Sequence, residues 1–201
     1  MFRITDFIIS NALSVIAKLT LTSQVENLLA TTERIRSVRK SVCTPEDMSM
    51  LVRALVIAED RRFFSHQGID TRGLMRAIYQ YLKFGKIQGA STITQQLVRV
   101  ITNDYRRLLR RKAKEMCLAC AIDSELSKET QAELYLRVAY YGWRMTGCVQ
   151  AKRHLGYTSP LNAAAAANIV ARLRYPESNH PSPAQMERIK QRARYIEVQI
   201  K

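Results

Sequence analysis

The chain has 201 residues, which allows one substantial domain with its own core and excludes two large ones. It contains only seven glycines and five prolines and lacks long alternating runs of Val, Ile and Thr, which favours a mainly α fold. The net charge of +15 indicates an anionic partner, whether phosphate groups, nucleic acid or an anionic membrane surface; a merely solvated basic surface is the alternative.

The N-terminal stretch IISNALSVIAKL, residues 8–19, predicts an amphipathic helix. Polar residues interrupt it, so no segment reaches the ~20 apolar residues that cross a bilayer, and it matches a signal peptide poorly. The helix is expected either to pack on the domain or to lie in a membrane interface. Residues 22–43 are polar and basic and indicate a linker or a loose helix. The predicted apolar face consists of Ile8, Ile9, Ala12, Leu13, Ile16 and Ala17.

A well-defined helix start follows at Thr44, which can cap the helix, with Pro45 at the first helical position. Apolar residues then recur at spacings of three and four, and that register places Glu59 on or beside the apolar stripe at the end of the helix. Partial burial there suits a carboxylate for proton transfer. The alternative is an ordinary ion pair with Arg61 or Arg62 at a solvated helix end.

Two later helices carry polar and charged residues at informative places. GASTITQQLVR, residues 89–99, puts hydroxyls and amides at the head of a helix, which suits an anionic group; an ordinary N-cap with a polar face is the alternative. A long helix is predicted over residues 106–126, where Arg111 and Glu115 lie four residues apart on one face. This pair is either a solvated ion pair or a second carboxylate held beside fixed cations.

Three helices complete the predicted fold. The first is capped by Ser127 and is expected to stop at Gly142. An Ala-rich helix suited to tight packing is expected to start at Ser159-Pro160. Ser182-Pro183 and Gln185 form a capping box for the last helix.

The sequence predicts no metal site. Cys117 and Cys120 form a CxxC inside a predicted helix, but no second Cys or His cluster lies nearby, so two small buried hydrophobic residues are the favoured interpretation. The three histidines, His66, His154 and His180, are scattered along the chain. Four cysteines do not make a disulfide framework in a domain of this size.

Four stretches occur in the order and with the spacing of one protein family: EDRRFFSHQGID from residue 59, GASTITQQL, RRLLRRKAKE with the downstream ELSKETQAELYL, and AYYG. Together they resemble the peptidoglycan glycosyltransferases of family 51, the transglycosylase domain of class A penicillin-binding proteins and of monofunctional transglycosylases. The resemblance covers about residues 50–176. It implies a mainly α, two-lobed, lysozyme-like helical domain, expected over residues 44–201 after an N-terminal amphipathic and linker region, residues 1–43.

The resemblance implies polymerisation of lipid II, an undecaprenyl-pyrophosphate-linked disaccharide-pentapeptide, into glycan strands. Glu59 resembles the general base that takes the proton from the acceptor sugar's 4-hydroxyl during an inverting displacement. Glu115 resembles the family's second glutamate, near the donor. The positions that match the family's other site residues, and are expected to bind substrate, are Asp60, Phe64, His66, Ser91, Gln95, Gln96, Arg99, Arg107, Arg111 and Lys112.

The same resemblance implies lipid II, the growing glycan strand and an anionic membrane surface as partners. It places the protein at the bacterial inner membrane, peripheral or anchored, with the domain on the periplasmic side. Residues 70–88 resemble the family's membrane-facing region, with an ordinary amphipathic helix as the alternative. A partner transpeptidase and a need for a divalent cation stay open, and no other cofactor is predicted. No nucleic-acid partner is expected, because no recognised motif accompanies the charge.

The chain departs from the family pattern at several positions. Arg99 stands in place of a lysine, Val100 in place of an asparagine, and Arg137 in place of the asparagine of a Tyr-Leu-Asn triplet. No acidic residue occurs in residues 163–167, where the family often has one. Two alternatives therefore stay open: a lysozyme-like glycan-cleaving enzyme that uses Glu59 as an acid, and a catalytically weak family member that binds lipid II without turnover.

Overall fold

The computed structural model describes residues 2–37, 43–86 and 89–200. Within these ranges the fold is mainly α, as predicted, with ten helices, one short hairpin and a single-turn helix at Phe63–Ser65. The elements are α1 (Phe2–Thr20), α2 (Thr22–Ser37), α3 (Pro45–Glu59), α4 (Thr71–Phe84), α5 (Ile93–Thr102), α6 (Leu109–Glu125), α7 (Lys128–Val138), β1 (Tyr140–Gly142), β2 (Met145–Thr146), α8 (Cys148–His154), α9 (Ala163–Arg174) and α10 (Pro183–Ile200).

The chain divides into two compact units, in keeping with the two-lobed expectation. The first unit comprises Met1–Arg34 and Arg62–Gln131, and the second comprises Ile35–Arg61 and Ala132–Lys201. Helices α1, α4, α5 and α6 belong to the first unit, while α3, the hairpin, α8, α9 and α10 belong to the second. The stretch EDRRFFSHQGID is therefore shared, with Glu59 in the second unit and everything from Arg62 onward in the first.

Helix α6 is the centre of the first unit. Leu118 and Ile122 on one face of α6 form a common core with Val98 of α5 and Leu28 of α2. The loop after the single-turn helix packs directly on α6, because a Cβ at Gly68 would lie 2.7 Å from the carbonyl oxygen of residue 119. Gly68 also has a φ of +78°, a left-handed conformation that only glycine adopts without strain.

Helix α1 forms where an amphipathic helix was predicted, but most of the predicted apolar face does not pack on the protein. Ser10 and Ser14 are buried in the first unit together with Ala17, which belongs to the predicted apolar face, whereas Ile8 and Ile16 of that face are exposed. Helix α1 packs along α6. The sequence left open whether this helix packs on the domain or lies in a membrane interface. The structure packs α1 on the protein through polar and small side chains and leaves most of the predicted apolar face exposed. Residues 22–43 include the regular helix α2, and residues 38–42 lie outside the described ranges.

The Ala-rich helix α9 lies at the core of the second unit, where it packs against both α3 and α10. Ala166 and Ala167 are fully buried, as are Val170 on α9 and Ile196 on α10. Alanine brings helix backbones close together, so that the larger side chains on neighbouring helices fill the remaining space.

Three predicted helix boundaries are wrong. Helix α6 begins at Leu109 and not at residue 106, and the other two differ for local reasons. The helix capped near Ser127 ends at Val138 and not at Gly142, because the next residues pair with other strands. The backbone carbonyl of Tyr141 accepts a hydrogen bond from the amide of Glu177 at 3.1 Å, which a helical backbone would prevent. The Ala-rich helix begins at Ala163, since the side chain of Asn162 caps it, three residues later than predicted from Ser159.

Asp47 fixes the start of α3, and with it the direction of the helix that ends at Glu59. Its buried carboxylate accepts hydrogen bonds from Lys152 Nζ (2.5 Å), Ser159 Oγ (2.6 Å) and the Leu161 amide (2.7 Å). A reciprocal capping box joins Asp47 to Thr44. Burial alone would raise the pKa of Asp47, but the hydrogen bonds led by Lys152 outweigh it and lower the pKa from 3.8 to about 2.

We expect Asp47→Asn to destabilise the protein by about 3–5 kcal/mol, because the variant leaves the Lys152 ammonium buried without its counter-charge. Chemical denaturation measures this difference. The control is Glu46→Gln, an exposed acid in the same helical turn. Because folding lowers the pKa of Asp47, its ionised carboxylate stabilises the fold at pH values above the unfolded-state pKa of ~3.8. The difference in unfolding free energy between wild type and Asp47→Asn should therefore be full above that pH and shrink as the pH falls towards 2. Equal stability of the two variants at neutral pH would contradict this role.

Candidate functional site

The head of α5 is anchored to the loop of the first motif. Thr92 is the N-cap of α5, and its buried hydroxyl accepts a hydrogen bond from the Gln95 amide (3.2 Å) while donating to the Gly68 carbonyl (2.6 Å). Since Gly68 itself lies against α6, this bond sets the position of α5 relative to α6. Ser91 and Gln95 consequently present their side chains to α6, where both accept hydrogen bonds from Lys112.

Glu115 of α6 is a buried carboxylate, with 3% of its side chain exposed, and three cations contact it. Arg99 of α5 binds it with two hydrogen bonds, from Nε at 2.9 Å and from Nη2 at 3.0 Å. Arg111, four residues earlier on α6, donates from Nη1 at 2.5 Å, and Lys112, three residues earlier, donates from Nζ at 2.6 Å. The group therefore carries a surplus of two positive charges around one buried carboxylate.

Lys112 connects this charged group to the head of α5. Besides Glu115, its ammonium donates to Gln95 Oε1 at 2.5 Å and to Ser91 Oγ at 3.1 Å, so each of its three protons has a partner. Burial lowers the pKa of Lys112, although Glu115 opposes the shift. Burial also pushes the pKa of Glu115 upward, but hydrogen bonds from Arg99 and Lys112 outweigh this and hold the pKa below its usual range. Glu115 is thus suited to hold cations rather than to accept a proton.

Open pockets lie on two sides of this group. One, of about 120 Å³, is lined by Ser91, Gln95 and Lys112 together with Asp70 and Leu74. The other, of about 90 Å³, is lined by Arg111 and Glu115 among others. Fixed cations and hydroxyl and amide groups at the wall of a small pocket are suited to holding an anionic group such as a phosphate.

Glu59 is the last residue of α3, and 16% of its side chain is exposed, so it does not project into open water. Arg192 of α10 lies beside it, with Nη2 3.6 Å from Glu59 Oε1, and the same nitrogen donates to the backbone carbonyl of Ala58. A guanidinium at this place also complements the negative end of α3. Sequence analysis missed Arg192. Its spacing of three and four residues from Ile189 and Ile196, both buried, was the available signal.

The alternative for Glu59 was an ion pair with Arg61 or Arg62. Both arginines contact other residues. Arg61 donates to Tyr195 and, at 3.3 Å, to Gln199 on α10. Arg62, in the first unit, forms a 2.5 Å ion pair with Asp70.

The remaining predicted residues lie in varied surroundings. Asp60 is buried as the C-cap of α3. His66 is buried with its ring 6.2 Å from that of Phe63, the fully buried aromatic residue of this motif. Phe64 is exposed and packs edge-to-face on Phe63 at 5.3 Å. Two further predicted residues are Gln96, half-buried on α5, and Arg107, exposed on the segment before α6.

The structure thus gathers only part of the predicted set into one group. The residues that share hydrogen bonds in the first unit are Ser91, Gln95, Arg99, Arg111, Lys112 and Glu115. Glu59 and Asp60 belong to the second unit. Arg107 lies outside the group that contacts Glu115.

In residues 2–37, 43–86 and 89–200, no group of three or more Asp, Glu, His or Cys side chains is arranged to hold a metal ion. Cys120 is buried, and burial raises the pKa of its thiol to about 12. Among the same residues no single helix is long and apolar enough to cross a bilayer, although α1 and α2, bent by 101° relative to each other, reach that length and apolar character when taken together.

Comparison with known proteins identifies the family. The family model for transglycosylases matches residues 20–201. The chain is 35% identical over 156 residues to a biosynthetic peptidoglycan transglycosylase of Alcanivorax borkumensis, covering 75% of this chain and 62% of that protein. It is 37% identical over 117 residues to penicillin-binding protein 1F of Bacillus subtilis, covering 58% of this chain and 16% of that protein. A monofunctional glycosyltransferase of Staphylococcus saprophyticus is 34% identical over 119 residues, or 58% of this chain and 44% of that protein.

The chain therefore belongs to the transglycosylase family, as its motifs indicated. It spans less than two thirds of the length of each of these relatives.

We expect Lys112→Met to weaken the binding of inorganic pyrophosphate by roughly tenfold or more, because it removes a charge-assisted donor from the pocket wall. Arg188→Met, which removes an exposed cation from α10, is the control for net charge. Calorimetric titration measures both. Since the pKa of Lys112 is lowered, wild-type binding should begin to fall at a pH below the 10.5 of an ordinary lysine. Glu115→Gln should shift this decrease in pyrophosphate binding to a still lower pH, because Glu115 raises the pKa of Lys112. An unchanged pH dependence would contradict the electrostatic coupling between Lys112 and Glu115.

Proposed function

We propose that this chain is a peptidoglycan glycosyltransferase that polymerises lipid II into glycan strands and releases undecaprenyl pyrophosphate. The single observation that carries the proposal is the buried Glu115 carboxylate surrounded by Arg99, Arg111 and Lys112. This group combines two motifs of the transglycosylase family, and it presents fixed positive charge beside a pocket. A reaction whose leaving group is a diphosphate needs positive charge of that kind.

The proposed chemistry begins at Glu59 in the second unit. Its carboxylate takes the proton from the acceptor sugar's 4-hydroxyl, and that oxygen forms a bond to the donor's anomeric carbon as the bond from this carbon to the pyrophosphate oxygen breaks. A direct displacement inverts the configuration at the anomeric carbon. Partial burial of Glu59 and its place at a fixed helix end support the role, because a general base must be held within hydrogen-bond reach of the proton that it removes.

In the first unit, Arg111 and Lys112 would hold the negative charge that develops on the departing diphosphate. Glu115 keeps both cations in place before substrate arrives, so little reorganisation is needed as the reaction proceeds. Arg99 would act through Glu115. It replaces a lysine of the family, and its guanidinium binds the carboxylate with two parallel hydrogen bonds, which a lysine cannot do. The departure at residue 99 therefore retains the charge and adds rigidity.

The two alternatives receive less support from these contacts. A glycan-cleaving enzyme expels a sugar hydroxyl, a leaving group that requires no set of three cations. The second alternative, a family member that binds lipid II without turnover, was based on the replacements at Val100 and Arg137 and on the lack of an acidic residue in 163–167. Arg137 is accommodated on α7, where its guanidinium lies 3.9 Å from Glu133, so this replacement leaves the helix intact.

The remaining expectations form part of the same proposal. Residues 44–201 would be the glycosyltransferase domain, and residues 1–43 its N-terminal region. Lipid II and the glycan strand would be its partners, at the periplasmic face of the bacterial inner membrane, with a transpeptidase partner and a divalent cation left open. Helix α4, within the segment 70–88, supports a membrane-facing role, because Met75 and Leu82 are exposed on it. Residues 87–88 lie outside the described ranges.

Lipid II polymerisation by the purified full chain is the direct test of this function. Detergent-solubilised lipid II should yield glycan chains, and Glu59→Gln should reduce the rate by at least about 100-fold, within the range that general acid–base catalysis contributes. Glu46→Gln, on the same helix and exposed, is the matched control. Polymer from Glu59→Gln at the wild-type rate would refute the role of Glu59. An inert wild-type chain would favour the binder, and clearing of purified sacculi without lipid II would favour the glycan-cleaving enzyme.

Arg192→Gln should lower kcat by about 10- to 100-fold, with a smaller change in KM, because it frees the end of α3 that carries Glu59. Arg192→Lys retains the charge and should recover part of the loss. The control is Arg188→Gln on the same helix, which should behave like the wild type. An increase in KM with an unchanged kcat would instead indicate that Arg192 contributes equally to binding of the substrate and of the transition state.

A further inference from the structure

Helix α1 packs on the protein through polar and small side chains, whereas a helix on a water-soluble core normally packs through its large apolar side chains. Three polar residues of α1, Asp6, Ser10 and Ser14, face the protein, with Asp6 and Ser10 each only 2% exposed, while its other polar side chains in residues 4–20 are exposed. Its large apolar residues face outward, reaching 76% exposure at Leu19. An extended exposed surface of this kind marks an interaction site, since an isolated apolar side chain in water needs no explanation but a whole helical face does. The α1 apolar face consists of Ile4, Phe7, Ile8, Ile9, Val15, Ile16 and Leu19.

Specific polar contacts along its length hold α1 in this orientation. Ser14 Oγ lies 3.3 Å from Ser124 Oγ of α6, and Lys18 Nζ donates to Glu125 at 2.5 Å. At the other end, the Asp6 carboxylate accepts a hydrogen bond from the Thr71 amide at 3.2 Å, in the first turn of α4. Rotating α1 to bury its apolar face would break these contacts and expose Asp6. The outward apolar face is therefore a built feature of the first unit.

The charges around this face favour an anionic surface as its partner. Asp6 is the one acidic residue in the sequence of α1, and it is buried. The neighbouring α4 has no acidic residue, and it carries exposed cations next to its own exposed apolar side chains. These cations are Arg72, Arg76 and Lys83, followed by Lys86 just beyond the helix. Apolar side chains flanked by cations, on two helices that carry no exposed acid of their own, complement a lipid interface with anionic headgroups.

We propose that α1 is an in-plane membrane helix: it lies parallel to an anionic bilayer, with the α1 apolar face in the boundary between headgroups and acyl chains and its polar face on α6. Such helices enter the bilayer by roughly 5–10 Å. The proposal does not rest on catalysis by Glu59 or on lipid II. It concerns attachment of the folded chain to bulk lipid, which can be measured without any turnover.

Vesicle sedimentation tests the attachment. The full chain should bind vesicles of phosphatidylethanolamine with phosphatidylglycerol and bind vesicles of phosphatidylcholine alone less well. The double variant Ile8→Asp/Ile16→Asp should lower the partition coefficient at least about tenfold, because two charges enter the apolar face. Both side chains are exposed, so folding is expected to survive, and circular dichroism checks it. The control is Val198→Asp, an apolar residue on α10 of the second unit that is more exposed than either Ile8 or Ile16. If Ile8→Asp/Ile16→Asp binds the anionic vesicles as well as Val198→Asp does, the proposal is overturned.

Depth measurement distinguishes an in-plane helix from the other arrangements. In a Trp143→Phe background, which removes the native tryptophan, Phe7→Trp and Leu19→Trp place single probes twelve residues apart, or about 18 Å along the helix axis. Lipids brominated at defined acyl positions should quench both probes from the same shallow depth. Depths that differ by a large part of that length would show an end-on helix and overturn the proposal, as would an absence of quenching.

The remaining alternative is that a second copy of the chain covers the α1 apolar face. Sedimentation velocity without lipid should show a monomer for the wild type. A dimer that Ile8→Asp/Ile16→Asp dissociates would assign the α1 apolar face to self-association and overturn the membrane proposal.

Discussion

The contact between Glu115 and its three cations is the constraint on which the first unit depends. A lone buried carboxylate would be strongly destabilising, and three neighbouring cations without it would repel one another. Together they are stable, and the arrangement joins α5 to α6 because Arg99 comes from one helix while Arg111 and Lys112 come from the other. The same contacts that hold the helices together therefore keep positive charge beside a pocket, so structure and proposed function rest on a single interaction.

The second unit positions its own carboxylate by holding α3 at both ends. Asp47 fixes the start of the helix through Lys152 and the segment that precedes α9, while Arg192 contacts the last turn next to Glu59. Helix α3, fifteen residues long, packs on α9 and α10. A general base benefits from such support, because a small displacement of the reacting group has a large effect on rate.

The α1 apolar face adds an attachment surface to the first unit that does not involve the charged group around Glu115. Polar contacts with α6 and α4 set the orientation of α1, and apolar side chains are left facing outward. For an enzyme whose proposed substrate carries an undecaprenyl chain, attachment to bulk lipid would place the pocket near the membrane. The lipid contact and the anion-binding group would then share one unit, linked through the contact between Asp6 and the first turn of α4.

Local sequence was sufficient for several features, and tertiary structure decided the others. Spacing and capping predicted α3, the end position of Glu59, and the pairing of Arg111 with Glu115, because each depends on residues within a turn or two of one another. Contacts between distant residues were out of reach. Arg192 meets Glu59 across more than a hundred residues, Arg99 reaches Glu115 only because α5 packs on α6, and the pairing of Tyr141 with Glu177 ends α7 early. Periodicity likewise identified α1 as amphipathic, but only its packing partners decided which face lies inward, because a helical pattern does not specify what surrounds it.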